Sequence, residues 1–357
     1  MASTSCRAAT ATPAPSGRPP ARSAIPRTTP AMGMRMRATM TSVGKPQTTA
    51  GSASAPDRWG PALRAVGIGL AFTATLTSLA LPIGVSYLAY QRWIAGKTLQ
   101  EASLHLEDAL LLLQAVASLL ILAAAFAWVA FFQRRIDRQG DLRAIGFRRV
   151  RRGWLSLGAA LLGGMLFAAI PIGLALASGE LSIGASHAAL EGTGDVILDA
   201  LGSAVILAGL IVAEELVFRG YMPWTLERSG WPALTATIAP ALLFAGYRLL
   251  LASASWAVFL NVLAAAVLLG MLTRRTHSLH VAIGARLGWA LIIGTVFSFP
   301  AGASHVEGIL HSLPVPGLAL DRAFGPEGSW LALPLLLLGI VITTVVGRRR
   351  PVVTAPP

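Results

Sequence analysis

The chain is short of cysteine, of acidic residues and of charge altogether. Cys6 is its one cysteine, which excludes an internal disulfide framework and any multi-cysteine zinc site. Sixteen acidic residues stand against 29 basic ones among 357, and charged residues make up only 13% of the chain, about half the share of an average soluble domain. Polar material is too scarce to cover a water-soluble globule. What is present instead is apolar: 54% of residues are hydrophobic and mean hydropathy is +0.65. The net charge of +13 comes with no aromatic-basic binding module, so nucleic acid is not expected as a partner. Membrane lipid is.

Residues 1–58 are rich in Ser, Thr, Ala, Pro and Arg, contain one acid (Asp57) and show no apolar period. They read as a disordered basic arm; an organellar transit peptide and a later start at Met32, Met34, Met36 or Met40 remain open readings. Residues 59–350 form the membrane domain and 351–357 a short tail. Eight apolar segments of about the length that crosses 30 Å of hydrocarbon run over 62–90, 107–132, 154–177, 196–218, 232–252, 256–273, 278–300 and 328–347. The expected fold is all-α, a polytopic bundle of about eight transmembrane helices.

The loop after the second segment holds Arg134, Arg135, Arg138, Arg143, Arg148, Arg149, Arg151 and Arg152, whereas the loop at 178–195 has Glu180, Glu191 and Asp195 but no Lys or Arg. By the positive-inside rule the first is cytoplasmic. Eight alternating spans then put Arg219, Arg228, Arg274, Arg275, Arg348, Arg349 and Arg350 on that side too. Arg92, Lys97 and Arg322 are left on the far side. The expectation is a multi-pass protein of the cell membrane with both termini cytoplasmic. Gly158, Gly163 and Gly164 are not pressed as a helix-pairing motif, because glycine is abundant throughout.

An ionisable group inside a span costs about 2.5–3.5 kcal/mol on insertion scales and therefore faces the bundle interior. Glu214, Glu215, Arg248 and Arg286 are such groups. Successive helical residues turn by about 100°, so the two carboxylates look toward different neighbours, while Glu215 and Arg219 stack at i, i+4. One glutamate is then braced and the other left free to serve as a general base toward water. An ion pair that holds the helix end is the plainer alternative.

Glu214 to Arg219 reproduces the E-E-x-x-x-R signature, followed by Gly220 and Tyr221, and so resembles the CAAX-protease and bacteriocin-processing (CPBP/Abi) family of intramembrane endopeptidases. Phe244-Ala245-Gly246-Tyr247-Arg248 falls where that family has F-x-x-x-H. Ile283 to Ala290, with Arg286 and Ala290, falls where it has H-x-x-x-N. Phe324 to Ser329 is similar to a segment before the last helix of some bacterial members, so the resemblance spans about 196–347.

The resemblance implies hydrolysis of peptide bonds in membrane-associated substrates, with a prenylated or membrane-bound peptide or protein as partner. It implies that Glu214 is the catalytic glutamate, within a motif completed by Glu215 and Arg219. The two histidine positions are Arg248 and Arg286, and the asparagine position is Ala290. A guanidinium stays protonated, so it neither takes a proton nor ligates a metal, and two fixed positive charges repel a divalent cation. No metal and no cofactor is expected, and activity is expected to be impaired or lost. A non-catalytic scaffold or binding protein on the same fold is the alternative. Arginines that pair with the carboxylates, or one that stabilises an oxyanion, are the two readings of the substitutions. No histidine offers a replacement: His280 lies about 120° off the face of Arg286, His277 falls in a loop, and His105, His187, His305 and His311 fall on the far side. One expectation is geometric. With the fourth span ending at 218 and the fifth starting at 232, Arg248 lies about 24 Å along its helix, deeper than Glu214, and a break at Pro240 would be needed to bring them level.

Overall fold

The computed structural model describes residues 59–94, 106–138, 141–147, 150–186, 192–252, 255–299, 308–315, 317–321 and 324–348. The arm at 1–58, the tail at 351–357, and Lys97, His105, His187, His305 and Arg322 lie outside the described residues.

Each predicted apolar segment falls on a helix. In chain order the helices are α1 (Trp59–Ile94), α2 (Leu106–Phe131), α3 (Val150–Ser178), α4 (Thr193–Glu215), α5 (Met222–Arg228), α6 (Ala233–Ala252), α7 (Trp256–Thr276), α8 (Leu279–Ala290) and α9 (Ala332–Arg348). Such apolar sequences adopt helices because hydrocarbon offers backbone N–H and C=O groups no partner outside the segment. Side-chain hydroxyls follow the same rule: Thr73 and Thr75 donate to the carbonyls of Gly69 and Ala71, each at 2.8 Å. Large apolar side chains such as Leu112, Leu120, Leu162 and Leu166 point outward, as a lipid-facing surface requires.

Among the described residues, five stretches are long and apolar enough to cross a membrane: Leu111–Ile136, Gly153–Ser178, Thr193–Arg228, Trp256–Thr276 and Leu279–Val296. Ala233–Leu249 and Ala332–Val345 are shorter apolar helices. The molecule is an all-α membrane helix bundle, and five of the eight expected crossings meet this measure of length and hydropathy among the described residues.

The fourth span differs from its predicted bounds. It does not stop at 218: α4 passes through a π-helical turn, Leu216–Tyr221, straight into α5. The expected break at Pro240 is absent too, since α6 runs unbroken across it. One antiparallel strand pair was not foreseen, β1 (Leu181–Ser186) with β2 (Leu310–Pro314). Beside it, Glu180 accepts from the backbone N–H groups of Leu318 (3.2 Å) and Ala319 (2.9 Å).

The opposite end of the bundle is tied by polar contacts. Asp137 accepts from Arg64 (3.0 Å) and from the Tyr221 hydroxyl (2.8 Å), joining α1, the end of α2 and the π turn. Arg274 donates to Glu227 at 2.7 Å. Gly146, at φ +103°, accepts from the N–H of Leu279 through its carbonyl (3.0 Å) and so fixes the start of α8. A Cβ at Gly146 would stand 3.0 Å from that nitrogen, so both conformation and space call for glycine.

Helices α3 and α8 meet backbone to backbone. A Cβ on Gly284 would overlap the carbonyl oxygen of Leu157, one on Gly288 that of Leu161, and one on Gly164 that of Ala285. Gly158 and Gly163 face open space. Gly164 therefore does belong to a close pairing, and its counterparts are Gly284 and Gly288, spaced as in small-xxx-small interfaces.

Candidate functional site

The continuous helix from Thr193 to Arg228 decides where the two glutamates sit. Glu214 precedes Arg228 by 14 residues, which is about 21 Å of helix. Arg248 lies 15 residues beyond Ala233 on α6, about 22 Å from that helix's start. The two depths agree, so the mismatch expected from a span ending at 218 vanishes without any kink at Pro240. The contact is direct: Tyr247 Oη donates to Glu214 Oε1 at 3.5 Å.

Glu214 and Glu215 are 4% and 0% exposed. Arg286, one turn before the end of α8, donates to both: Nη1 to Glu215 Oε1 at 3.0 Å and Nη2 to Glu214 Oε2. Glu215 Oε1 also faces Arg219 Nη1 at 3.1 Å across the π turn. The expectation that one glutamate is braced and the other free is thus corrected, because a single guanidinium bridges both. Arg219 is corrected as well. It is 5% exposed and belongs to the buried cluster, not to a cytoplasmic loop.

Arg248 does not pair with Glu214. Its Nη2 lies 3.8 Å from Glu327 Oε2, too long for a hydrogen bond. Glu327 sits in the turn before α9, where its Oε1 accepts from Trp289 Nε1 at 3.3 Å. Asn261 of α7 holds that turn in place by donating to the carbonyls of Glu327 (2.9 Å) and Ser329 (2.7 Å). The ring of Phe244 lies beneath all three cations, with the guanidinium carbons of Arg219, Arg286 and Arg248 at 4.1, 4.9 and 5.9 Å from its centroid. Stacking of this kind suits the weakly hydrated, planar guanidinium. The result is three arginines against three glutamates, in apolar surroundings.

This cluster borders a cavity of about 330 Å³ between α3, α6, α7, α8 and α9, lined at its polar end by Arg219, Arg248, Asn261, Arg286 and Glu327. Ala290 stays outside it. It packs with Ile206, Leu207, Ile211 and Ile293 in an apolar cluster, where an amide side chain would find no evident partner. His280 sits against Phe147 and Ser278, His277 ends α7 in a left-handed conformation, and His311 lies on β2.

The donor set does not suit a metal ion. The two carboxylates on α4 already share one guanidinium, and the positions that would present imidazoles present further cations. Among the described residues no group of three or more His, Cys, Asp or Glu side chains converges as a metal site would require.

Phe244, Tyr247, Asn261, Trp289 and Glu327 join the site in the structure without a role assigned to them by the sequence pattern. Asn261, a lone amide in an apolar helix, and Glu327, an acid in a Gly-Pro turn, are the signals that point to two of them.

Residues 196–292 match the family model described as Rce1-like, type II CAAX prenyl endopeptidase. No curated protein and no solved structure gives a match. The match takes in the E-E-x-x-x-R turn, Arg248 and Arg286 but stops short of Glu327. Over residues 196–292, about a quarter of the chain, the protein is thus similar to the type II CAAX prenyl endopeptidases.

Proposed function

We propose that the protein is a multi-pass binding member of the CAAX-protease family, its protease-like centre closed by ion pairs and no longer able to activate water. The observation that carries this reading is the bridge from Arg286 to both Glu214 and Glu215. A general base must reach a water with an open lone pair. Glu214 is buried, with one oxygen bound to Arg286 and the other facing Tyr247. Arg248 and Arg286 hold no lone pair that could take over the task.

What such a centre retains is shape and charge: a preformed cavity in the size range of ligand pockets, with buried polar groups at one end. Its partners are membrane lipid and a membrane-bound, prenylated or lipid-like molecule. The basic loops gather at the end of the bundle that holds Arg64, Asp137 and Arg274, and the positive-inside rule assigns that end, with both chain termini, to the cytoplasm.

The test is a cleavage assay on the reconstituted protein with prenylated and membrane-tethered peptides, beside Glu214→Ala, the double change Arg248→His with Arg286→His, and the same pair with Ala290→Asn. The wild type is expected to leave every peptide intact. Cleavage by the wild type that disappears in Glu214→Ala would overturn the proposal. Ala290→Asn adds an amide to an apolar cluster, at a cost of about 1–3 kcal/mol, so the double change is the fairer test of whether histidines alone restore turnover.

A further inference from the structure

The cavity is polarised along its length. On α7 its lining runs from Asn261 through Ala265 and Leu268 to Leu272, a rise of about 16 Å, and only the Asn261 end is polar. The other helices agree. On α8, Arg286 and Trp289 lie toward that polar end and Val281 at the apolar one, and Leu336 of α9 adds to the apolar wall.

The polar end holds groups whose hydrogen-bonding capacity is not used up. Arg248 is 7% exposed, and among the described residues its ion-pair contact is the loose 3.8 Å approach to Glu327, beside the Phe244 ring 5.9 Å from its guanidinium carbon. Arg219 Nη1 faces Glu215 without the alignment of a hydrogen bond, and Asn261 Oδ1 is likewise buried without a hydrogen-bond partner among the described residues. The Arg248 and Arg219 donors left in this state favour an incoming acceptor, whereas the Asn261 oxygen calls for a donor.

We propose that this cavity binds a single-chain lipid carboxylate, its head on Arg248 and its alkyl chain along the wall formed by Ala265, Leu268, Leu272 and Leu336. The inference rests on reading the site as a binding centre. A peptide fits less well, because its backbone N–H and C=O groups would meet an apolar wall that offers them nothing. A two-chain phospholipid exceeds the cavity. A dianionic phosphate monoester would face Glu327 with twice the charge, whereas a monoanion displaces only the loose Arg248–Glu327 contact, and Glu327 is the more exposed of that pair, at 17% against 8%.

The experiment is a titration of the full chain in phosphatidylcholine nanodiscs with 2-bromododecanoate, whose bromine lies beside the head and so at the Trp289 end of the cavity. It reads quenching of Trp289, taken as the difference between wild type and Trp289→Phe. Saturable quenching is expected, weaker by about tenfold or more with 2-bromododecanol or in Arg248→Gln, since each lacks one side of a charge-assisted bond. Ala265→Phe, which fills the apolar wall and leaves every charge in place, should abolish it. Equal quenching by the alcohol would reduce the effect to partition into lipid and overturn the proposal. So would unchanged quenching in Ala265→Phe, or tighter binding of 2-bromododecyl phosphate. The readout needs no turnover: cleavage in the peptide assay together with dodecanoate binding refutes the closed centre and keeps this site, while an inert protein that ignores dodecanoate does the reverse.

Discussion

Replacing Arg286 by methionine keeps most of the side chain's volume and removes its charge. Glu215 would retain Arg219 at 3.1 Å, but Glu214 would be left with the Tyr247 hydroxyl at 3.5 Å. Breaking a buried pair by removing one partner costs about 3–5 kcal/mol, chiefly because a charge is left uncompensated. Arg286 is 15% exposed at its side chain, against 5% for Glu214, so solvent screening relieves little of this. The loss expected for Arg286→Met is therefore about 3–5 kcal/mol, measured by chemical unfolding in detergent micelles. In the double variant Glu214→Gln with Arg286→Met the stranded charge is gone, and most of the loss should return. The coupling between the two sites is expected at the upper end of the usual range, about 2–3 kcal/mol. An Arg286→Met protein within about 1 kcal/mol of wild type, or a double variant no better than the single one, would refute the claim that this guanidinium neutralises Glu214.

Two further expectations concern packing and the turn before α9. Gly288→Ala places a methyl group on the carbonyl of Leu161 and should cost about 1–3 kcal/mol or more through overpacking, whereas Gly158→Ala, which faces open space, should leave unfolding unchanged. Asn261→Leu removes the two hydrogen bonds to the carbonyls of Glu327 and Ser329, at about 1 kcal/mol net each. Amide hydrogen exchange over 324–331 should rise in that variant, with little change over α4.

Much of the architecture could be read from hydropathy alone, because lipid imposes a single solution on an apolar run: each of the eight segments is helical. What hydropathy misplaced was an end. Arg219 looks like a terminating charge, which places the end of the fourth span at 218. The chain instead carries Arg219 inside, where Glu215 and the face of Phe244 compensate it, and continues to Arg228. From that one displacement came both the depth mismatch with Arg248 and the break assigned to Pro240. The members of the charge cluster were legible for the same reason that the spans were, since a charge in lipid stands out. Its pairing was not. Whether Arg286 bridges both glutamates, and whether Arg248 turns toward Glu327, depends on side-chain packing between helices distant in sequence. The α3–α8 contact is not legible from Gly164 alone, because its meaning lies in Gly284 and Gly288, more than a hundred residues on.

The bridge at Arg286 also bears on the order in which the protein is made. The buried trio Glu214, Glu215 and Arg219 emerges from the ribosome with one negative charge in excess, and its partner on α8 follows only some seventy residues later. At about 2.5–3.5 kcal/mol for each unpaired charge in hydrocarbon, the span that carries it is poorly suited to wait alone in lipid. It has to linger at the insertion machinery, or against α2, until α8 arrives. Helix α8 then acts as a late keystone, and a chain arrested after α7 should remain open to quality-control proteolysis.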